Sequence, residues 1–439
     1  MRLVERGSWF LVLVIFAAAQ HRVTAAQCPC DIYAAGGTPC VAAHSMVRAL
    51  YQTYNGPLYQ VRRASDKATQ DIFPLAPGGF ANSASQDSFL TGTTGTVSII
   101  YDQSGNNNNL TVAPKGCYVE TNDTEAGATG DKISVGGHTV YGLYQNIHHG
   151  YRKDTANNVP TGSKSQGLYE VVNGKHFNSG CCNDYGNAET DFCGSGGTGT
   201  MEAIYFGTIA NYGTGTGSGP WIMGDFEAGI WPGGSGTYTK NYSTNPSLNN
   251  DNYVSGFLKS SASNYALKSG NAQSGPLTNI YSGNPPATWK LQGSIILGIG
   301  GDNSWSGDGT FYEGAMTSGR PTDTVEDSVQ ANIVAAGYGL TTATRPEYYG
   351  LSQQIPFRIR YNPSIDNIVI NCALTTAWHI SVNIFDLQGR HIASVMDGVV
   401  SAGRHEMVWD AREVHAGIYI WKVTIAGETE LMGKIAIRQ

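Results

Sequence analysis

Trp221-Ile-Met-Gly-Asp-Phe-Glu227 reads as one β-strand. Successive side chains of a strand point to opposite faces. Trp221, Met223, Asp225 and Glu227 therefore share one face, and Ile222, Gly224 and Phe226 take the other. The same texture extends in both directions. Thr96–Tyr101, Met201–Gly207, Tyr253–Leu258 and Ser294–Gly300 are short apolar runs separated by Gly/Asn/Ser/Thr turns. Many short strands with such turns predict an all-β sandwich or barrel from Gln27 to about Leu340. Two helices interrupt it. One is expected over Pro39–Tyr54, where Val41, Ala42, Met46, Ala49 and Leu50 fall at helical spacing and His44 is a packing or capping residue. The other is expected over Asp323–Tyr338.

The polar stretch 341–354 reads as a linker. Beyond it, alternating runs at Phe357–Tyr361, Asn367–Leu374, His379–Phe385, His405–Asp410, Gly417–Ile425 and Glu430–Ile437 predict a second, immunoglobulin-like sandwich over 355–439. At the other end, Arg2 and Arg6 precede an apolar run from Trp9 to Ala19 and the small residues of Val23–Ala26. That pattern predicts a secretory signal over 1–26. Charged residues make up only 14% of the chain and the net charge is −7, which argues against a nucleic-acid partner. Fifty-six glycines, 24 tyrosines and 8 tryptophans suit an extracellular β-protein that binds sugars, since aromatic faces stack on sugar C–H groups.

Eight cysteines in an exported chain staple local regions. Cys30 and Cys40 flank a short loop and form a natural pair. Cys28, Cys117, Cys193 and Cys372 have no partner assignable from sequence. Cys181 and Cys182 are adjacent, in GKHFNSGCCNDYGNAET. A bond between neighbours closes no loop and removes almost no unfolded-state entropy. Its use would be a hard, apolar surface for a ligand. Separate partners or two free thiols remain open on local sequence alone.

The pattern with chemical content is a pair of acids. Asp225 and Glu227 share a strand face with Trp221 and Met223, which is costly unless that face is a wet cleft or the acids are paired. Along Ser294–Asp302, Ile295, Leu297 and Ile299 are expected in the core, and Ser294, Ile296, Gly298, Gly300 and Asp302 on the other face. The glycines leave room for a ligand, and Asp302 stands at the end. Glycoside hydrolysis requires two carboxyl groups across such a groove, one attacking and one donating a proton. Ordinary surface acids at a strand end would show the same spacing. Asp302, Ser304, Ser306 and Glu313 also imitate an EF-hand loop, but the preceding segment is a strand and no metal is expected. No zinc spacing and no G-x-S-x-G elbow is present.

With these residues assembled, Gln27 to about Leu340 resembles the catalytic domain of glycoside hydrolase family 54, the B-type α-L-arabinofuranosidases. CPCDIYAAGGTPCVAAHSMVRALY, SIIYDQSGNNNNLT, CCNDYGNAET, MEAIYFG, GPWIMGDFE, GSIILGIGGDNS and GTFYEGAMTSG carry the resemblance. It implies a concanavalin-like β jelly-roll and retention of anomeric configuration. It places the nucleophile on Glu227 and the acid/base on Asp302. Asp225, Gly301 and Asn303 fall to the sugar-binding set, with a stacking aromatic on Tyr212. The family's vicinal disulfide falls on Cys181–Cys182. Three departures stand out. The family often has Asn-Asn where this chain has Ala228-Gly229, and the positions of a second family disulfide look like Leu90 and Gly95. Familiar fungal members carry a β-trefoil, whereas the tail here resembles the C-terminal sorting domain of bacterial type IX secretion. That implies a Gram-negative host and a secreted or cell-surface protein.

The sequence thus leads to an exo-acting arabinofuranosidase. It is expected to be monomeric, to need no cofactor, and to act on arabinose-containing plant polysaccharide. A β-xylosidase of the same fold and a catalytically silent glycan-binding module are the alternatives.

Overall fold

The computed structural model describes residues 28–117, 121–235, 241–339, 357–362, 367–374, 378–386, 390–401, 403–412, 414–425 and 429–437. The signal and linker expected at 1–26 and 341–354 lie outside them. Contacts divide the chain into two compact units, one spanning Gln27–Tyr348 and one containing Tyr349–Gln439.

The first unit is a sandwich of antiparallel layers. In one layer, hydrogen-bonded neighbours run Thr69–Ile72, Tyr59–Arg63, Gly95–Ile100, Leu110–Val112, Tyr151–Lys153, Ser294–Leu297, Asp184–Ala188, Glu202–Gly207 and Trp221–Asp225. In the other they run Ser274–Gly283, Asn264–Asn271, Tyr253–Ser261, Gln166–Phe177, Gly309–Ser318 and Cys40–Ser45. Ile204, Ile222, Ile295 and Leu297 from the first layer join one buried cluster with Leu168, Val171, Leu258 and Leu267 from the second. Each such side chain contributes roughly 1.5–3 kcal/mol when fully removed from water. The opposite face of the first layer is also largely buried. It carries Ala188, Ala203 and Ile296 in one cluster and Tyr205, Trp221 and Met223 in another. The alternation expected for residues 221–226 is realised, with Phe226 in the core.

The helix expected over Pro39–Tyr54 does not form. Pro29–Ala35 is the helix, and Cys40–Ser45 is a strand paired with Gly309–Ser318. All six residues of that strand are buried. A strand covered on both faces reads as a continuous apolar run, which periodicity cannot separate from a buried helix. His44 is a satisfied core residue, with its ring nitrogens 3.0 Å from Tyr185 Oη and 2.8 Å from Asn108 O. The second helix spans Asp323–Ala336. The Thr322 hydroxyl accepts from Val325 N–H at its start, and Gly337 closes it at φ 76°, an angle that suits glycine. Cys30–Cys40 is bonded, tying the first helix to its neighbouring strand. Cys117–Cys193 is a further bond that sequence left unassigned, while Cys28 and Cys372 are free and buried. Leu90 packs against the Gly95 backbone, so the two positions are neighbours without a disulfide.

The second unit has three strands, Phe357–Asn362, Asn367–Leu374 and Gly403–Asp410, in one sheet. Four more, His391–Val400, Trp378–Phe385, Gly417–Ile425 and Thr429–Ile437, form another. Ile368, Ile370, Ile380, Val382, Ile384 and Val423 form its core. The strand His391–Val400 escaped the sequence reading. Its burial is irregular, with Val399 exposed, so no clean alternation marks it.

Candidate active site

The outward face of the first layer holds a cavity of ≈ 210 Å³. That is below the roughly 300–1,000 Å³ of sites for drug-sized ligands, and suits one small sugar better than a chain. Cys181, Cys182, Tyr212, Asp225, Glu227, Gly301 and Asp302 all line it. Residues singled out from distant parts of the sequence therefore converge on one pocket. Ile209, Asn211 and Ser304 line it as well.

Three strands bring them together. Ala203 opposes Asp225, and Asp184 opposes Tyr205, so Asp184–Ala188, Glu202–Gly207 and Trp221–Asp225 lie side by side. Ser294–Leu297 pairs on the far side of Asp184–Ala188. Neither acid of the candidate pair lies on a strand, contrary to the sequence reading. Trp221–Asp225 ends two residues before Glu227, and Ser294–Leu297 ends five before Asp302. The chain turns at Gly298, where φ is 76°, so Ile299 joins Ile296 on the pocket side and leaves the core. Glu227, Ala228 and Asn303 have φ of 62°, 47° and 62°. Left-handed conformations at non-glycine residues cost of order 1–3 kcal/mol each and cluster at functional sites.

Local hydrogen bonds set these turns. Glu227 N–H donates to Asp225 Oδ1 at 3.1 Å, and Ser304 N–H donates to Asp302 Oδ1 at 2.9 Å. Arg152, which sequence reasoning missed, is buried beneath them. It donates to Gly301 O at 2.6 Å and to Asn303 Oδ1 at 2.8 Å, and also to the Glu189 carbonyl. Asn303 is fully buried, and its amide donates to Pro114 O at 2.6 Å. Its side chain therefore holds the turn and does not reach the sugar pocket, which corrects the expectation that it binds substrate.

Cys181 and Cys182 are bonded to each other and form one wall of the cavity. Cys182 Sγ lies 3.5 Å from Asp225 Oδ2, and Ser306 Oγ donates to Cys181 O at 2.8 Å. Cys181, Cys182 and Asp225 are close enough to hold a metal by distance, but the two sulfurs are spent on their mutual bond. The EF-hand spacing forms no cage either. Glu313 lies in the Gly309–Ser318 strand and is paired with buried Arg48 at 2.6 Å. Tyr212 faces the cavity and stacks on Trp231, ring centroids 5.4 Å apart. Gly229 stands where a Cβ would collide with the Trp231 indole, which accounts for the absence of a larger residue there.

The electrostatics are dominated by carboxyl groups. Burial pushes the Glu227 carboxyl up to about 10, helped by hydrogen-bonded Glu189 and by the charges of Glu189, Asp225 and Asp302. Burial likewise pushes Asp225 up to about 7, opposed by Asp184, which is hydrogen-bonded to it, and by the Glu227 N–H. Asp184 is itself buried and held well above the usual carboxylate range. Crowded acids of this kind share protons, which is the environment acid/base catalysis needs. Glu189 and Asp184 were not singled out from sequence. The signal for Asp184 is the alternation of Asp184, Gly186 and Ala188 along a strand beside the pocket, and Glu189 is the next residue after that strand.

Gly301 has no room for a side chain. A Cβ there would overlap Glu189 Oε2 and stand 3.0 Å from Glu227 Oε2. Gly301→Ala is expected to displace the carboxyl pair and lower kcat/KM on the order of 10²-fold, the usual consequence of about 1 Å of misplacement. Initial rates on a chromogenic substrate, with circular dichroism to verify folding, test this; a folded variant at the parental rate would refute it.

Residues 29–339 match the family model described as "Alpha-L-arabinofuranosidase B, catalytic". Residues 361–438 match "Secretion system C-terminal sorting domain". A relative from Aspergillus fumigatus named "Probable alpha-L-arabinofuranosidase B" is 49% identical over 350 residues, covering 78% of this chain and 67% of that protein. One from Trichoderma koningii named "Arabinofuranosidase/B-xylosidase" is 49% identical over 325 residues, covering 72% of this chain and 64% of that protein. A solved structure described as arabinofuranosidase complexed with arabinofuranosyl-alpha-1,2-xylobiose is 41% identical, with a TM-score of 0.69, over 79% of this chain and 74% of that one. With its pocket built on the matched segment, the chain belongs to the α-L-arabinofuranosidase B catalytic family.

Proposed function

We propose that the protein is a retaining, exo-acting α-L-arabinofuranosidase that releases terminal arabinofuranosyl groups from arabinoxylan, arabinan or their oligosaccharides. The observation that carries this reading is the placement of Glu227 and Asp302 on one small cavity, walled by the Cys181–Cys182 bond. Glu227 attacks the anomeric carbon while Asp302 gives its proton to the leaving oxygen. An arabinosyl ester forms on Glu227. Asp302, now a carboxylate, takes a proton from water, and that water releases arabinose with its original configuration. Asp225 accepts hydroxyl hydrogens of the sugar, Tyr212 covers a face of the ring, and the two sulfurs fix its position.

The β-xylosidase reading has one observation in its favour, the double name of the Trichoderma koningii relative. Rates on 4-nitrophenyl α-L-arabinofuranoside and 4-nitrophenyl β-D-xylopyranoside separate the two. A proton NMR time course of the first-formed sugar anomer tests retention. An initial β-anomer would exclude the covalent route. The match at 361–438 supports export to the cell surface through type IX secretion in a Gram-negative host.

A further inference from the structure

Residues 190–199 form an irregular segment between the strands Asp184–Ala188 and Glu202–Gly207. A Cβ placed on Gly194 would collide with Glu227 Oε1 and stand 3.4 Å from Asp302 Cβ, so the main chain of this segment lies against both carboxyl residues. Gly194 has φ of 59°, which a side chain would strain as well. A second segment, 113–117, packs on the Asp302 turn. A Cβ on Gly116 would collide with the Asp302 carbonyl oxygen and stand 3.0 Å from Asn303 Cβ. Pro114 O also accepts the Asn303 amide at 2.6 Å. Cys117 follows Gly116, Cys193 precedes Gly194, and the two cysteines are bonded. One covalent link therefore stands a single residue from the close contact with Asp302 and a single residue from the close contact with Glu227.

Little else holds the middle of the first segment. Its ends are anchored, Thr190 N–H to Gln292 Oε1 at 3.0 Å and Gly199 N–H to Phe226 O at 2.6 Å. Between residues 191 and 196, the Cys193 N–H and the Ser195 hydroxyl both donate to Asp191, inside the segment. Among the described residues, the hydrogen bond that leaves this stretch is Cys117 N–H to Phe192 O at 3.1 Å, beside the disulfide. The Phe192 ring adds a contact with the Arg152 guanidinium at 4.7 Å. Chain with so few ladder bonds opens at low cost. We propose that the Cys117–Cys193 bond is a positioning strap: it keeps Gly194 against Glu227 and Gly116 against the Asp302 turn, and so fixes the nucleophile and the acid/base relative to each other. Cys181, Cys182, Tyr212 and Asp225, which line the cavity, lie outside both segments. The strap therefore acts on the reaction and not on the hold on the sugar. The bond also closes a span of 76 residues, which would stabilise the fold wherever it lay. This inference rests on the glycosidase reading and adds a positioning element to the same site.

The test uses the full-length chain. Peptide mapping without reduction should find Cys117 and Cys193 joined in the parent. Cys117→Ser, Cys193→Ser and the double variant are then compared on 4-nitrophenyl α-L-arabinofuranoside, with inhibition by free arabinose as the measure of sugar binding. Each single variant and the double lose the same one bond, so all three should lose the same factor in kcat, about 10- to 10²-fold. The arabinose inhibition constant should stay within about threefold, because the contacts to the bound sugar are kept. Gly194→Ala probes the contact itself. With the bond intact the segment cannot retreat, and kcat should fall about 10²-fold. In the double-serine background the freed segment yields, and the same change should cost less than about tenfold more. A folded double variant at the parental kcat would overturn the proposal, as would losses that multiply from the singles to the double. So would a kcat loss matched by an equal loss of arabinose binding, which would reduce the bond to general stability, and so would a parent without the bond. Should the double variant fail to fold, Gly194→Ala decides alone, since parental kcat there would remove the contact through which the strap acts. An inactive but folded parent would bring down the glycosidase reading itself, whereas an active parent with a flat series would bring down only the strap.

Discussion

Glu227→Gln should lower arabinofuranoside hydrolysis by about 10⁴-fold or more while leaving the fold intact. The amide cannot form the ester, and nothing else in the pocket replaces it. Asp225, the other acid of the same segment that lines the cavity, has Oδ1 occupied by the Glu227 N–H and Oδ2 against Cys182 Sγ, and it is hydrogen-bonded to Asp184. The fall should be the same for activated and natural substrates, because both must pass through the displacement. Stability should rise slightly, since one buried like-charge neighbour of Glu189, Asp225 and Asp302 is removed. Rates on 4-nitrophenyl α-L-arabinofuranoside, together with a urea midpoint, check both parts. A variant within tenfold of the parent would move the nucleophile elsewhere.

Asp302→Asn should behave differently, and the difference identifies the acid. A 4-nitrophenolate departs without a proton, so formation of the ester should survive, while its hydrolysis loses the base. A burst of nitrophenol followed by a slow steady state is the expected trace. On arabinoxylan, whose leaving oxygen needs protonation, kcat/KM should fall about 10³-fold, towards the upper end of what general acid catalysis contributes. Azide needs no base to attack the ester, so it should restore turnover and yield the α-configured arabinosyl azide. Azide without effect, or a product of inverted configuration, would be incompatible with Asp302 as acid/base of a retaining enzyme.

The strand texture was legible because most strands of the first unit have one face in the core, as Ile204 and Ile222 do beside Tyr205 and Trp221 on the other side. Cys40–Ser45 was misread because it is buried on both faces and loses the alternation that marks a strand. In the site, the residues with distinctive chemistry, Glu227, Asp302 and the paired cysteines, could be found. Their exact carriers could not. Sequence alternation extends a strand until a turn signal stops it, and Gly224 and Gly298 lie inside runs that looked continuous. The chain in fact leaves the ladder at Asp225 and Leu297, and the acids project from strained turns. Arg152, Glu189 and Asp184 were missed for a different reason. Each is a single polar residue in an ordinary-looking strand or at its end, and its meaning comes largely from partners more than 30 positions away.

The crowd of acids around this pocket has an energetic meaning of its own. In the free enzyme, the neighbouring acids Glu189 and Asp302 oppose the ionisation of Asp225 and Glu227. The anomeric carbon becomes oxocarbenium-like as its bond breaks, and that positive charge relaxes the repulsion. The pocket therefore discriminates between a neutral sugar and the same sugar half-way through the reaction, which is the form of binding that raises kcat. A five-membered iminosugar bearing its ammonium where the ring oxygen or anomeric carbon sits would exploit the same imbalance, and a neutral analogue of identical shape would not.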